Sequence, residues 1–435
     1  MIRFVYNLFW PIGLLFFLPG YLAKMIRRGG YREKFGQRLG IYDGELRVRL
    51  SKRESTWLHA VSVGEVNIAL KLAHALRVLE PDLCCVLTTT TTTGFALANK
   101  NAPPWIDVLY TPVDYWPIMR RAFSVIRPTR IVLVEAEVWP NLVALAHELR
   151  IPTILVNARL SPRSERRFRR FRFFVAPTFR QLDLVCAQEL DDVERWVAIG
   201  VARDRIRAVG SIKYDPDGRD QALEAQESAH QAGFTHADRE SPVLFGGSTH
   251  RGEEEILASI FLRLRQQFPS LRLFIAPRHV ERLREIRAQF GALPMRMTLA
   301  SEGVRQLPDE SDADCIVLDT TGDLHRWYAI ATIVFMGKSL TAHGGQNPVE
   351  PIIAGKPVVF GPHMENFATL AKALVLKKGA IQVSDIDSLE LTIAELLRDS
   401  EARKRLVQRA REVLSEHQGA TARAAALIHE LNPIV

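Results

Sequence analysis

Residues 55–80 read STWLHAVSVGEVNIALKLAHALRVLE, and this stretch indicates the fold. Its first half is a continuous apolar run typical of a buried strand, and after Gly64 the apolar residues recur at helical spacing. The same succession returns at 84–100, 130–150 and 182–199, and it restarts after residue 240. Strands that alternate with amphipathic helices predict parallel sheets covered on both faces. We therefore predict two consecutive doubly wound, Rossmann-like α/β domains.

A polar segment from Lys213 separates the two domains and is predicted to be a linker with one surface helix. The second domain holds six strand-like runs, and the final stretch, 389–431, is predicted to be helical throughout. Ligands of open parallel sheets bind beyond the carboxyl ends of the strands, so we expect the substrates in a cleft between the domains. The predicted bounds are 1–26 for an N-terminal anchor, 27–212 for the first α/β domain, 213–240 for the linker, 241–415 for the second α/β domain and 416–435 for a helical tail.

Residues 4–23 carry no charge, and about 20 apolar residues suffice to cross a bilayer as a helix. Six basic residues follow within the next 15, which predicts that the rest of the chain faces the cytoplasm. Pro11 and Pro19 leave open a helix that lies in the membrane interface. A buried helix of the globular fold is the alternative, and the clustered charge disfavours it. The basic residues are Lys24, Arg27, Arg28, Arg32, Lys34 and Arg38.

The composition limits the classes of partner. The chain has 435 residues, a net charge of +8 and four cysteines without metal-ligand spacing. The charge favours anionic partners: nucleic acid, an anionic membrane surface or phosphorylated substrates. The cysteines give no disulfide framework or zinc site and fit a reducing compartment.

Carboxylates follow two predicted strands of the first domain. Glu65 comes one glycine after the first strand, where it could act as a general base or complement the dipole of the following helix. Glu135 and Glu137 end another strand, and they could orient an acceptor and stabilise positive charge, or cap a helix. His59 lies within its strand and is interpreted as a packed histidine.

The most basic stretch, 156–177, interleaves arginines with phenylalanines. Such a pattern can bind single-stranded nucleic acid or lipid phosphates, and a solvated helix face is the plain alternative. With a membrane anchor on the same chain, the lipid interpretation is favoured. The arginines are Arg159, Arg163, Arg166, Arg167, Arg169, Arg170 and Arg172.

In the second domain, glycine and hydroxyl residues are predicted to lie between a strand and a helix, where backbone N–H groups could meet an anion. Arg278 and His279 follow the next strand. The loop before N-P-V-E-P demands close backbone approach, and Glu350 could accept bonds from a ribose diol. Two D-x-D strings, Asp215–Asp217 and Asp312–Asp314, are interpreted as chance. The glycine and hydroxyl residues are Gly246, Gly247, Ser248 and Thr249.

Together these strings resemble the 3-deoxy-D-manno-octulosonic acid (Kdo) transferases of lipid A biosynthesis in Gram-negative bacteria. The resemblance rests on their order from the N-terminus to about residue 367. It implies a GT-B fold, inversion at the anomeric carbon, transfer from CMP-Kdo to a lipid A precursor at the inner membrane, and no catalytic metal or other cofactor. The strings are HAVSVGE, E-x-E-V-WPN, NARLSPRS, GSIKYD, GSTHRGEEE, APRH, TGDL and GGQNPVEP.

The resemblance also assigns roles. It implies that Glu65 is the base and that Glu135, Glu137 and Lys213 stabilise the transition state. Gln346 departs from the histidine that the family often has, so a charged role there is in doubt. The expected acceptor contacts are Arg159, Ser161, Arg163 and Arg166, and the expected donor contacts are Ser248, Thr249, Pro277, Arg278, Thr321, Gly322, Asp323, Gly345, Asn347, Pro348, Val349 and Glu350.

Two other functions stay open at the level of the sequence. One is another membrane-associated GT-B glycosyltransferase that uses a UDP-sugar, and the other is a non-catalytic membrane-docked binding protein. The expected partners are CMP-Kdo, the lipid A precursor and an anionic membrane surface, and no nucleic acid.

Overall fold

The computed structural model describes residues 3–10, 34–160, 162–215, 241–303, 313–319 and 324–431. The chain divides into two compact units, Met1–Asp215 together with His417–Val435, and Pro216–Glu416. Each unit contains a seven-stranded parallel sheet, so the prediction of two parallel-sheet α/β domains is confirmed.

The sheet of the first unit has the strand order β3-β2-β1-β4-β5-β6-β7. β1, the third of the seven strands, is buried on both faces: Trp57 and Leu58, which point to opposite sides, are 0% exposed and belong to different hydrophobic clusters. All of its residues are buried, which explains why it shows no alternation of buried apolar and exposed polar residues. The strands are β1 Ser55–His59, β2 Cys85–Thr89, β3 Ile106–Tyr110, β4 Pro128–Val134, β5 Thr153–Ala158, β6 Leu184–Ala187 and β7 Ile206–Ala208.

Helices cover both faces of this sheet. They are α1 (3–10), α2 Phe35–Arg38, α3 Gly44–Ser51, α4 Val63–Leu79, α5 Thr92–Asn101, α6 Trp116–Ile126, α7 Pro140–Glu148, α8 Pro162–Arg170, α9 Arg172–Phe179, α10 Leu190–Ile199 and, at the end of the chain, α19 Ala420–Glu430. A 3-10 turn covers Arg203–Arg205.

The sheet of the second unit has the order β10-β11-β9-β8-β12-β13-β14. Its strands are β8 Val243–Thr249, β9 Arg272–Pro277, β10 Met297–Leu299, β11 Cys315–Val317, β12 Ile333–Met336, β13 Val358–Phe360 and β14 Ile381–Gln382. Its helices are α11 Glu253–Leu264, α12 Leu283–Gly291, α13 Ala300–Gly303, α14 Leu324–Trp327, α15 Val349–Ile353, α16 Ala368–Leu376, α17 Ile386–Arg398 and α18 Ser400–Ser415, with 3-10 turns at Val280–Arg282, Tyr328–Ile330 and Glu365–Phe367.

The strand order of each sheet reverses at one point. In the first unit the reversal lies between β1 and β4, and in the second between β8 and β12. The loops that leave the two strands at such a point diverge, which opens a crevice where ligands of doubly wound folds bind. The loops after β1, β4, β8 and β12 are therefore where the fold favours a site.

The end of the chain differs from the prediction of one continuous helical stretch. Asp399 ends α17 and caps α18 through a bond from the Ala402 N–H, and Gly419, at φ 76°, precedes α19. α19 packs on α4 of the first unit, where Ala425 and Ile428 join the hydrophobic core.

Most of the predicted membrane anchor, residues 11–26, lies outside the described residues. Residues 3–10 are helical and are held on the first unit by polar contacts, with Tyr6 donating to Asp114 and Asn7 bonding Asn141. Phe4, Leu8 and Phe9 of this helix are exposed. None of the helices within the described ranges combines the length and apolarity that crossing a membrane requires.

Candidate active site

Glu65 lies in the first turn of α4, immediately after β1, at the reversal point of the first sheet. Ser62 is the N-cap of α4. Its hydroxyl donates to Oε1 of Glu65 at 2.7 Å, and the Val61 N–H donates to Oε2 at 2.8 Å. The side chain is 7% exposed. Ser62-x-x-Glu65 thus resembles a capping box, in which Glu65 also stabilises the start of α4.

Burial raises the pKa of Glu65 from 4.5 to about 7. Within this net shift, the charges of Glu135 and Glu137 act in the same direction as burial, and the two hydrogen bonds act against it. The structure therefore brings together the three carboxylates that the sequence placed after two different strands. A carboxyl group that exchanges its proton near neutral pH is suited to general base catalysis.

Glu135 follows β4, next to Glu65, with an unusual backbone conformation. Its φ is 62°, in the left-handed region that residues other than glycine rarely adopt. Burial raises the pKa of Glu135, while Lys213 and Arg159 lower it. Backbone strain of this kind is kept where it aims a functional group. The neighbouring Glu137 accepts a bond from the Trp139 indole at 2.9 Å.

Asn157 holds the segment that leads into Lys213, a lysine whose charge acts on Glu135. Asn157 is the penultimate residue of β5, has φ 51° and is fully buried, and its Oδ1 accepts bonds from the Ser211 hydroxyl at 3.2 Å and the Ile212 N–H at 3.0 Å. Burial lowers the pKa of Lys213, and the carboxylate of Glu135 opposes this shift. The structure thereby joins the NARL and GSIKYD strings, which lie more than 50 residues apart in the chain.

The predicted acceptor residues are divided by the fold. Arg159 lies near Glu135 and Lys213, and its positive charge lowers the pKa of both groups. Arg163 and Arg166 are exposed on α8, so they are not part of the buried group, and Ser161 lies outside the described residues. His59 is fully buried, its ring lies edge-on to Trp139, and burial lowers its pKa to about 4. The interpretation of a packed histidine is confirmed.

In the second unit, Gly246, Gly247, Ser248 and Thr249 do not form a loop, which corrects the prediction. They are the last residues of β8: both glycines pair with β9 and β12, Thr249 pairs with β9, and the register shifts at Ser248. The glycines are needed for packing, because a Cβ at Gly246 would meet Leu257 at 2.7 Å and one at Gly247 would meet the Tyr328 hydroxyl at 2.6 Å.

The two hydroxyl residues that end β8 differ. Ser248 has φ 52° and is partly exposed. Thr249 is fully buried, and its hydroxyl donates to Glu254 at 3.0 Å. Of the two, Ser248 is the one whose side chain reaches the surface at the reversal point.

Glu253, which the sequence did not single out, joins the loops on either side of this reversal point. It is 0% exposed, and its carboxylate accepts bonds from the N–H groups of His250, Lys338, Ser339 and Leu340, at 2.8 to 3.1 Å. The string GEEE after a strand indicated a helix start, but nothing local showed that its first carboxylate would bind a loop 85 residues away. Lys338 itself has φ 58°.

The other predicted donor residues lie around the same edge of the sheet. Arg278 follows β9 with an exposed side chain, and its N–H donates to the Thr249 carbonyl at 3.0 Å. Asn347 accepts a bond from the Val349 N–H and donates to Glu350. Pro277, Gly345, Pro348 and Val349 are buried, and Thr321, Gly322 and Asp323 lie outside the described residues.

Each D-x-D string has one described aspartate with a structural partner. Asp215 accepts bonds from the Gly419 and Thr421 N–H groups at the start of α19, and Asp314 forms an ion pair with Arg265. A diphosphate-bound metal is therefore not needed to explain either residue. Within the part of the chain that the structure describes, His343, His363 and Glu365 have the spacing of metal ligands.

Two consecutive Rossmann-like units, each with a seven-stranded parallel sheet, are the components of the GT-B type of fold. The fold is similar to that of a glycotransferase of kitacinnamycin (TM-score 0.54, 16% identity, covering 87% of this chain and 99% of that one) and of MurG from Acinetobacter baumannii (TM-score 0.56, 14% identity, covering 87% and 100%). Residues 312–413 also match the group 1 glycosyl transferases.

The particular family follows from the sequence comparisons. Residues 33–216 match the 3-deoxy-D-manno-octulosonic-acid transferase (kdotransferase) family. The chain is 31% identical to the 3-deoxy-D-manno-octulosonic acid transferase of Haemophilus influenzae over 399 residues, covering 92% of this chain and 91% of that protein. It is also 31% identical to that of Bordetella pertussis, covering 84% and 85%. The chain belongs to the Kdo transferase family, as the sequence strings predicted, and it is a glycosyltransferase.

Proposed function

We propose that this protein transfers Kdo from CMP-Kdo to a hydroxyl group of a tetraacylated lipid A precursor, with inversion at the anomeric carbon. In this reaction the acceptor oxygen forms a bond to the anomeric carbon of Kdo. The bond from that carbon to the phosphate oxygen breaks, CMP leaves as the anion, and the hydroxyl proton passes to Glu65.

The observation that carries this proposal is the buried carboxylate group at the reversal point of the first sheet. Glu65 lies close enough to Glu135 and Glu137 for their charges to raise its pKa, and that pKa is about 7. A general base is most effective when its pKa is near the working pH. We assign Glu65 as the base.

The neighbours of Glu65 receive supporting roles. The transition state is oxocarbenium-like, and we assign Glu135, with Glu137, to stabilise its positive charge. Lys213 is a buried cation beside Glu135, and we assign it to the negative charge that develops on the leaving CMP. Arg159, whose positive charge acts on both Glu135 and Lys213, is assigned to an anionic group of the acceptor.

The second unit is assigned to the donor. Ser248 lies at the end of β8, one of the two strands at the reversal point, and Arg278 directly follows the neighbouring strand β9. Asn347 and Glu350 lie at the start of α15, after β12. We propose that these residues, with 321–323, bind CMP-Kdo and that no metal ion takes part in the transfer step.

The acceptor is a lipid, and the proposed location follows from it. We propose that residues 1–26 attach the protein to the inner membrane, that both units face the cytoplasm, and that α8 meets the anionic headgroups. The eight residues of α1 expose Phe4 and Phe9, and α8 carries five arginines, which supports this location.

The test is a transfer assay with detergent-purified protein, CMP-Kdo generated in situ and a lipid A precursor, read by product mass. We expect a product heavier by whole Kdo units, and its absence with Glu65→Gln. Glu45→Gln is the matched control, because Glu45 is an exposed first-turn glutamate of α3 in the same unit. Parallel incubation with UDP-sugars should give no product.

Two results would contradict the proposal in different ways. A full yield from Glu65→Gln would remove the assignment of the base but keep the reaction. If folded wild-type protein that binds CMP gave no product, the lipid A precursor would be rejected as the acceptor. Where a product forms, comparison with purified α- and β-linked standards gives its stereochemistry.

A further inference from the structure

Three metal-ligating side chains meet at the carboxyl ends of β12 and β13, two neighbouring strands of the second unit. His343 comes from the loop after β12, and His363 and Glu365 come from the loop after β13. The Nδ1 atoms of His343 and His363 lie 3.2 and 3.4 Å from Oε1 of Glu365, and one potential ligand atom from each residue falls within 4.8 Å of the other two.

The backbone fixes this arrangement from both loops. The Gly344 N–H donates to Oε2 of Glu365 at 2.6 Å, and the Asn366 N–H donates to the Gly344 carbonyl at 2.8 Å. The His363 N–H donates to the Ser339 carbonyl at 3.0 Å. Main-chain hydrogen bonds therefore hold the ligand-bearing residues in place before an ion binds, which lowers the entropic cost of binding.

The side chains specify the class of ion. Two imidazoles and one carboxylate form a ligand set of open zinc sites, in which water occupies the fourth position. On a tetrahedron with bonds of about 2.0–2.1 Å, two ligand atoms are about 3.3 Å apart, close to the 3.2 and 3.4 Å that separate the two Nδ1 atoms from Oε1 of Glu365. Imidazole favours zinc, copper and nickel, whereas magnesium and calcium prefer oxygen ligands.

The surroundings allow an ion to enter. The side chains of His343 and Glu365 are 76% and 56% exposed, and that of His363 is 30% exposed. The two imidazole rings lie 3.9 Å apart between centroids, so both rings can reach one ion.

We infer that His343, His363 and Glu365 bind a divalent transition-metal ion of the zinc class and thereby link the loops after β12 and β13. The β12 loop continues into Gly345 and Asn347. An ion at this position therefore holds the segment proposed to bind the donor, without taking part in the transfer step. Metal binding itself does not depend on the proposed function, since it is measured without substrate.

The experiment is calorimetric titration of Zn²⁺ into the full-length protein, freed of any histidine tag and of metal. We expect one Zn²⁺ per chain, and an affinity at least about tenfold weaker in both His343→Ala and Glu365→Gln. His147→Ala is the matched control, because His147 is an exposed histidine of α7 in the first unit, and it should bind as the wild type does. Mg²⁺ should give no heat of binding at the same site.

Co²⁺ gives a second measurement that surface histidines do not reproduce. Bound in a site with two imidazoles and a carboxylate, Co²⁺ should show the intense visible absorption of four-coordinate cobalt, and His343→Ala should lose it while keeping its far-UV circular dichroism. Equal Zn²⁺ affinity in the wild type, His343→Ala and His147→Ala would overturn the inference. So would the absence of saturable Zn²⁺ binding by folded wild-type protein.

Discussion

The surroundings of Glu65 act on its protonation in two opposite directions. As a first-turn carboxylate it accepts bonds from Ser62 and Val61, which favour its charged form, whereas its burial favours the neutral form. Burial is the larger effect. The folded state therefore holds the Glu65 proton more tightly than the unfolded chain between about pH 4.5 and 7, so the contribution of this group to stability falls as the pH rises through that range.

Activity should depend on pH in the opposite direction. Because a base acts only when unprotonated, kcat/KM should fall as the pH is lowered through about 7, the pKa of Glu65. Ser62→Ala removes a bond that lowers this pKa, so it should move the acidic limb to higher pH. Glu65→Gln should lower kcat by at least about a hundredfold. These changes are measured as pH–rate profiles at saturating donor.

A limb that stays in place in Ser62→Ala would show that another group titrates, and a limb near 4.5 would show that the pKa of the base is not raised. Unfolding curves of each variant separate this outcome from a loss of structure.

Glu253 connects the loops that follow β8 and β12 in the second unit. Its buried carboxylate accepts four N–H groups, and an amide in its place turns an NH₂ group toward those donors. We expect Glu253→Gln to lower the free energy of unfolding of the second unit by about 2–4 kcal/mol and to speed hydrogen exchange of the amides of 338–340. The neighbouring Glu255 is exposed, and Glu255→Gln should change neither quantity. A Glu253→Gln protein with wild-type exchange would refute the assignment.

At the level of single residues, the sequence allowed prediction where chemistry is local. A carboxylate directly after an apolar strand identifies Glu65 and Glu135 without any knowledge of their partners. Asn157 and Glu253 could not be found in this way, because their function is to bind backbone groups more than 50 and 80 residues away, and no local pattern encodes such partners.

At the level of elements, the continuous apolar runs were predicted, and two strands without such a run were not. The six strand-like runs of the second unit all form strands, but β10 has three partly exposed residues and was missed. β3 was also missed, since Asp107 interrupts its apolar run. In the string VLFGGST the strand was predicted to end before the two glycines, because glycine weakens a strand interior. The strand instead continues to Thr249, and the glycines allow Leu257 and Tyr328 to pack against it.

The last helix depends on a single cap from another part of the chain. Asp215 is 7% exposed and accepts bonds from the Gly419 N–H at 2.7 Å and the Thr421 N–H at 2.8 Å. Removing such a cap costs about 1–2 kcal/mol. Asp215→Ala should therefore lower the thermal midpoint and increase hydrogen exchange in α19. Asp204→Ala, at an exposed aspartate of the same unit, should leave both unchanged, and equal effects of the two substitutions would contradict the capping function.

At the level of the whole molecule, the order of units along the chain was predicted, but the destination of the C-terminus was not. Helical periodicity shows that residues 420–430 have an apolar face, and many partners would cover it. The structure shows that Ala424, Ala425 and Ile428 pack on α4, so the first unit is completed only by the end of the chain. The two units are consequently connected twice, through the segment after Asp215 and through 416–419.

The first unit also exposes aromatic residues where a lipid acceptor is expected. Phe173 and Phe174 of α9 are 68% and 53% exposed, directly after the arginines of α8. Burial of phenylalanine in the headgroup region favours membrane binding. Arginine favours it through attraction to anionic lipids, and salt weakens that attraction. We expect Phe173→Ser combined with Phe174→Ser to raise the apparent KM for acceptor in anionic vesicles by about tenfold, with kcat unchanged. Leu391→Ser is the matched control, since Leu391 is 65% exposed on α17 of the second unit. In this assay kcat measures the transfer step, and the apparent KM measures binding to the membrane that holds the acceptor. A fall in kcat with constant KM would therefore place these phenylalanines at the active site and not at the membrane.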